Sequence, residues 1–269
     1  MVRKERNNDY DKDAPAGRVT LVGAGPGAVD LITLRGRRAL EEADVVVYDD
    51  LANADLLDFC PPAAVRIYVG KRAGRHCAAQ ETIGAILVRE ARQDRHVVRL
   101  KGGDPLVFGR GGEEEQVLAE AGVPFEIVPG VTAAVAAGAV ARIPLTHRQH
   151  ASAVVFVTGH ECGDKSRGTS VDWRALARTR ATLCIYMGVR RLAEIAAELR
   201  DGGLLGSTPV AVIANATLPD QSVQVGDLDS ADILAAAVSG QPALIIVGEV
   251  VRFAEILAQA RTCLAELRA

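Results

Sequence analysis

The sequence predicts an α/β protein built as two α/β domains, and three observations carry that prediction. Short apolar, β-branched runs alternate with helical segments along most of the chain, the pattern of strands joined by crossover helices. The 269 residues are 49% hydrophobic but only 4% aromatic, a vocabulary suited to parallel strands buried on both faces. The alternation halts at Ile143-Pro144 and restarts at Ala153. A seam near 146–151 then gives an N-terminal domain over 18–146 and a C-terminal domain over 151–269. Residues 1–17, dominated by charge and Asn, read as a disordered tail. A cleft between the two halves is the natural place for a ligand.

Each element has its own signal. Arg18–Val22 is a strand, and Gly23-Ala24-Gly25-Pro26-Gly27 follows it directly. A helix covers about Leu31–Ala43, and Val45–Tyr48 is a strand ending at Asp49-Asp50. Pro61-Pro62 closes a short helical piece before a strand at Val65–Val69. Ile83, Ile86, Leu87 and Ala91 mark one face of a helix within 80–94. The stretch Val97–Glu114 starts as a strand and breaks at Gly102-Gly103-Asp104-Pro105 and again at Gly109-Arg110-Gly111-Gly112. Such a loop is too long and too glycine-rich for an ordinary βα turn, so it reads as a binding loop. The helix after it stops at Gly122, and Phe125–Val128 is a strand. The Ala-rich run 131–141 is a buried helix. After the seam come strands at Ala153–Val157, Thr182–Tyr186, Pro209–Ala214, Ser222–Val225 and Ala243–Val247. The fourth of these lies too close to the third for a crossover, which favours antiparallel pairing. Helices fall at Trp173–Arg178, Leu192–Arg200 and Ala231–Val238, with a closing helix over 252–267.

Composition also sets limits. A net charge of −3 argues against a general nucleic-acid binder, and no apolar run is long enough to span a bilayer. Five scattered cysteines without a C-x-x-C pair do not make a disulfide framework, so the cytoplasm is the default compartment. His147-x-x-His150 and His160-x-Cys162 lack the second close pair of a structural zinc site, and no metal is expected.

Strand, then Gly-x-Gly-x-Gly, then helix, with Asp49 downstream, comes close to a dinucleotide fingerprint. That would make the chain an NAD(P)-dependent oxidoreductase. Pro26 counts against it, because a proline has no N–H to offer a pyrophosphate. The other polar candidates, Asp49, Lys71 with Arg72, Asp104, Thr132 and Met187, follow strand ends. They suggest a ligand held largely by backbone, with proton transfer by a carboxylate and an amine.

A set of ordered motifs narrows the choice. GAGPG at 23–27, VVYD at 46–49, VGKRAG at 69–74, VRLKGGDP at 98–105 and FGRGGEE at 108–114 stand in series. PGVTAA at 129–134, IPLTHR at 143–148, VTGH at 157–160, YMG at 186–188, ATLPDQ at 216–221 and PALIIVGEVV at 242–251 complete it. Together they resemble the uroporphyrinogen-III C-methyltransferases of the tetrapyrrole methylase family. The resemblance implies a homodimeric two-domain α/β enzyme with S-adenosylmethionine in its interdomain cleft. It would methylate uroporphyrinogen III at C2 and C7, giving precorrin-2 by way of precorrin-1 and releasing S-adenosylhomocysteine, for cobalamin or siroheme biosynthesis. By the same match Asp49 would be the proton acceptor and Lys71 the proton donor. Pro26, Gly102, Gly103, Asp104, Val107, Thr132, Ala133, Met187, Ala216 and Ala243 would contact the cofactor. The substrate carries eight carboxylates, for which Arg72, Arg110, Arg142 and Arg148 are candidates by placement.

Asp50 stands where the family commonly has a basic residue, Ala79 where proline is common, and the 161–172 loop looks specific to this chain. The dehydrogenase–chelatase domain of fused siroheme synthases is not expected within these residues. The alternatives are a methylase of the same superfamily acting on a later precorrin, the NAD(P) oxidoreductase, and a non-catalytic binding protein.

Overall fold

The computed structural model describes residues 17–70, 80–160 and 171–254. By their contacts they form two compact units. One holds the chain up to Ala24 together with Ile32–Gly130, and the other holds Gly25–Leu31 together with the chain from Val131 onward. By these contacts the chain from Val131 groups with the second unit, ahead of the break at Ile143-Pro144. The reason is burial: Ala134, Ala137 and Ile143 pack with Cys184, Ile213 and Leu244 of the second unit's core.

In the first unit β1 (Arg18–Gly23), β2 (Val45–Tyr48), β3 (Val65–Tyr68), β4 (His96–Lys101) and β5 (Phe125–Val128) form one sheet in the order β3-β2-β4-β1-β5. All its pairings are parallel. Three helices cross over between these strands, namely α1 (Leu34–Glu41), α2 (Gln80–Ala91) and α3 (Gly111–Glu120). Val19, Leu21, Val45, Val47 and Val97 make a buried core with Ile83 and Leu87 of α2 and Leu118 of α3. β1 and β4 are adjacent and parallel, so the loops that follow them, at 23–27 and 102–110, leave from the same sheet edge. That edge is the C-terminal one, where open α/β sheets hold their ligands.

The second unit contains β6 (Val154–Thr158), β7 (Thr182–Tyr186), β8 (Pro209–Ala214), β9 (Ser222–Asp227) and β10 (Ala243–Val247), ordered β6-β7-β10-β8-β9. Only β6 and β7 pair in parallel, while β10 runs antiparallel to both β7 and β8, and β8 to β9. The short β8–β9 connection favoured the antiparallel pairing found there, whereas the composition pointed to parallel strands elsewhere. It reports burial of both faces, which this sheet shares, but the connections decide strand direction. Leu183 and Ile185 face a cluster with Trp173 of α5 (Trp173–Arg178), Ile195 of α6 (Leu192–Asp201) and Leu234 of α7 (Ala231–Ala237). Cys184 between them faces α4 (Ala133–Val140) on the other side, as the two-residue strand period requires. Burial there pushes the Cys184 thiol up to about 12, so it is inert at neutral pH.

Most expected elements lie where the sequence puts them. α1 starts three residues late, at Leu34, because the hydroxyl of Thr33 accepts the Gly36 N–H and caps the helix there. The closing helix beyond Ala254, the VGKRAG motif from Lys71 onward, and most of the 161–172 loop lie outside the described residues.

The start of β4 carries a buried histidine. His96 Nε2 lies 2.9 Å from Thr20 Oγ1, and its Nδ1 lies 3.1 Å from the Glu42 carbonyl oxygen. Burial, then the nearby Arg18, hold its pKa below the usual 6.5. The folded state therefore takes up a proton less readily than the unfolded one. This contribution to stability is intact above pH 6.5 and is lost as pH falls from there toward the folded value. Urea denaturation should show His96→Gln with a shallower loss of stability between pH 7 and 5 than the parent. Parallel curves would mean that His96 titrates alike in both states.

Candidate functional site

Three glycines close the C-terminal edge of the first sheet. A Cβ on Gly23 would sit 2.5 Å from the Gly130 nitrogen and 2.7 Å from the Gly103 oxygen, and one on Gly130 would sit 2.2 Å from that same oxygen. No side chain fits among these three backbones. Gly103 also has φ +66, a left-handed value that favours glycine. Asp104 fastens the assembly: Oδ2 accepts the Gly130 N–H at 3.1 Å and Oδ1 accepts the Leu106 N–H at 2.9 Å. The loop beyond is drawn tight, with Phe108 and Arg110 both left-handed at φ +54 and +58.

The same edge carries a buried charge network. Val47 of β2 is opposite Arg99 of β4 in the register, and Asp49, two residues past Val47, leaves on the same face. Arg99 Nη2 donates to Asp49 Oδ2 at 2.6 Å, and Nε donates to Glu114 Oε1 at 3.3 Å. Lys101 Nζ reaches that same Glu114 oxygen at 2.9 Å. The Arg99, Lys101 and Glu114 side chains are buried, while Asp49 is a quarter exposed. Asp49 Oδ1 takes the Leu51 N–H at 3.1 Å. Burial, then repulsion from Arg99, lower the Lys101 pKa, with Glu114 and Asp49 opposing the shift. The side chain of Asp50 points to a different partner, the Tyr68 hydroxyl.

In the second unit three loops are tied by hydrogen bonds. The Ala28 N–H donates to Thr217 Oγ1 at 2.9 Å, and a Cβ on Gly27 would meet Leu218 at 2.9 Å. Pro26 and Ala216 are therefore held on neighbouring loops. The Tyr186 hydroxyl accepts the Ala134 N–H at 3.1 Å and lies 2.7 Å from Thr132 Oγ1. It closes the N-terminus of α4 and stands next in sequence to Met187, which is exposed and left-handed at φ +54. Asn215 and Thr217 are left-handed as well, and Ala243 pairs with Ala214 just ahead of them. Left-handed non-glycine residues cost energy and gather where a site needs a fixed shape.

This geometry stands beside three comparisons with known proteins. Residues 18–232 match the family model of the tetrapyrrole (corrin/porphyrin) methylases. The chain belongs to that family. It is 50% identical over 243 residues to a siroheme synthase of Baumannia cicadellinicola, covering 90% of this chain and 52% of that protein. It is 54% identical to siroheme synthase 1 of Yersinia enterocolitica, covering 87% and 49%. The chain thus spans about half the length of the curated relatives it matches. Among solved structures, uroporphyrin III C-methyltransferase from Thermus thermophilus complexed with S-adenosyl homocysteine is 42% identical. The TM-score is 0.75, with 88% of this chain and 94% of that one covered. A cobalt precorrin-4 methyltransferase is 29% identical with a TM-score of 0.76, covering 87% and 95%.

Around the glycine-rich turn several polar groups already have partners within the protein. Thr33 occupies the N-terminus of α1, the Ala28 N–H is spent on Thr217, and Asp49 is bound to Arg99. Those are the groups a dinucleotide would need. Among the residues expected at the site, Gly102, Gly103, Asp104 and Val107 share one loop of the first unit with Asp49 on the neighbouring strand end. Pro26, Thr132, Ala133, Met187, Ala216 and Ala243 fall in the second unit. Lys71 and Arg72 lie outside the described residues. Arg110 is committed to Glu113, at 2.9 and 2.6 Å, and that hydrogen-bonded ion pair holds the Glu113 carboxyl below its ordinary value. Arg142 and Arg148 are exposed in the second unit. No three His, Cys, Asp or Glu side chains converge as metal ligands among the described residues, nor is any described helix long and apolar enough to cross a membrane.

Arg99, Lys101, Glu114 and Tyr186 were not among the site residues expected from the sequence. A detectable signal existed for the first two. Two cations alternate in a strand whose apolar neighbours demand burial, and such cations need partners. Tyr186→Phe tests the α4 cap. Removing the hydroxyl should raise hydrogen exchange at the Ala134 amide and cost about 1 kcal/mol of stability. Unchanged protection would mean that α4 starts independently of Tyr186.

Proposed function

We propose that this chain transfers two methyl groups from S-adenosylmethionine to C2 and C7 of uroporphyrinogen III, giving precorrin-2 through precorrin-1. The observation that carries the reading is the match to the Thermus thermophilus enzyme, over nearly all of that chain and bound there to S-adenosyl homocysteine. The siroheme synthase relatives support a place in siroheme formation, and a homodimer in the cytoplasm is part of the same reading.

The residues present fit the cofactor. Gly102, Gly103, Ala133 and Ala216 offer backbone without bulk, Thr132 offers a hydroxyl, and Pro26, Val107, Met187 and Ala243 offer apolar contact. Asp104 serves by fixing its loop, since both of its oxygens already accept backbone N–H groups. Bound S-adenosylmethionine supplies an electrophilic methyl group. The protein's task is alignment and proton removal. Asp49 suits the proton acceptor: each oxygen takes one hydrogen bond, the side chain is partly open to solvent, and Arg99 holds it in place. Lys71 is the proposed donor. Arg142 and Arg148, with Arg72 and Arg110, are the proposed partners of the substrate carboxylates. Arg110 would have to exchange Glu113 for substrate.

Anaerobic incubation with labelled S-adenosylmethionine and uroporphyrinogen III should give a doubly methylated product. Asp49→Asn should keep cofactor affinity by calorimetry while turnover falls about 100-fold or more. Methylation of a later precorrin but not of uroporphyrinogen III would move the chain to another step of the superfamily. A loss of cofactor affinity in Asp49→Asn would place this carboxylate in cofactor binding instead.

A further inference from the structure

We infer that Arg99 is a positioning residue for Asp49, and that Glu114 and Lys101 exist to hold the Arg99 guanidinium at the angle this needs. The inference rests on Asp49 being the proton acceptor and adds what makes it one.

The geometry is over-determined. A guanidinium has five N–H donors in a rigid fork. In Arg99, Nε is directed to Glu114, Nη1 to the Leu100 carbonyl at 2.9 Å and more weakly to the Val47 carbonyl at 3.4 Å, and Nη2 to Asp49. The fork is thus fastened to β2, to β4 and to the first turn of α3. Asp49 is the member of the network with substantial exposure. Everything behind it is dry and pinned.

A stability role accounts poorly for this arrangement. Burying Arg, Lys and Glu together costs desolvation that their mutual attraction only partly repays, and apolar residues of like size do as well or better. β4 has apolar neighbours on both sides in the sheet, so such residues would fit. The side chains instead run from the helix to one partly open carboxylate. Glu114 takes both cations on one oxygen, which turns Nη2 of Arg99 toward Asp49. With Leu51 N–H on its other oxygen, the carboxylate cannot rotate and presents its remaining lone pairs in a fixed direction. A base misplaced by about 1 Å loses on the order of 100-fold in rate.

The test compares Arg99→Met, Arg99→Lys and Asp49→Asn with the parent. Cofactor affinity is read by calorimetry, kcat and KM with uroporphyrinogen III, and the melting temperature by circular dichroism. Arg99→Met should lower kcat about 10- to 100-fold with cofactor affinity and KM within about twofold. Arg99→Lys, which keeps a cation but loses the fork, should recover part of the rate. In the Asp49→Asn background, Arg99→Met should leave the residual transfer of labelled methyl unchanged, because the group it positions is gone. Full kcat in Arg99→Met, or an equal loss with and without Asp49, would overturn the positioning role alone. Full turnover in Asp49→Asn would overturn the proton-acceptor assignment, and the positioning role with it. If Arg99→Met fails to fold, the same comparison with Glu114→Gln applies, which loosens the guanidinium without removing it.

Discussion

Three strand ends that touch backbone to backbone set the terms for the first unit. Gly23 ends β1, Gly103 and Gly130 lie two residues past β4 and β5, and their main chains lie so close that a methyl group on Gly23 or Gly130 would clash. This contact sends the loop at 102–110 outward from the sheet edge, and the Asp104 carboxylate locks it by binding the Gly130 amide. The tight, left-handed path through Phe108 and Arg110 follows from the same anchoring. So does the entry of α3, whose first turn carries Glu114 into the interior. A loop held so firmly can offer its backbone to a ligand without first being ordered, which lowers the entropic cost of binding.

The charge network is the second consequence. Parallel register puts Asp49 one step beyond Val47, on the face where Arg99 and Lys101 emerge, and α3 supplies the balancing Glu114. Sheet, helix and loop therefore act on one carboxylate. The second unit solves its own problem differently. There, single side chains (Tyr186 on α4, Thr217 on the GAGPG loop) tie loops whose backbones are bent into left-handed turns. GAGPG, the most familiar-looking motif, ends against the 215–221 loop, where a Cβ on Gly27 would meet Leu218.

Much of this was legible in the sequence. Strand positions were readable from apolar runs that give way to polar or glycine-containing turns, and the bounds of β2, β7, β8 and β10 follow from that. The glycine-rich stretch after Val97 announced itself by length. In the second sheet the short β8–β9 connection revealed the antiparallel pairing there, but the direction of β10 was not legible, since burial on both faces looks alike in parallel and antiparallel neighbours. Ile143-Pro144 marked the end of a helix, but which core that helix joins depends on what Ala134, Ala137 and Ile143 touch, and no sequence pattern shows that. The motif marked Asp104 as a ligand contact, and the structure adds that its two oxygens accept the Leu106 and Gly130 amides. Glu114 stood only as part of the FGRGGEE motif, and the register of β4 beneath it shows that it faces two buried cations.

The central claim is that backbone contact among the strand-end glycines shapes the loop that would hold the cofactor. Gly130→Ala adds one methyl group at the tightest point and alters no proposed ligand contact. Calorimetric titration of S-adenosylmethionine into folded Gly130→Ala should show affinity falling at least tenfold, with the far-ultraviolet circular dichroism of the parent retained. Affinity equal to that of the parent would contradict the account.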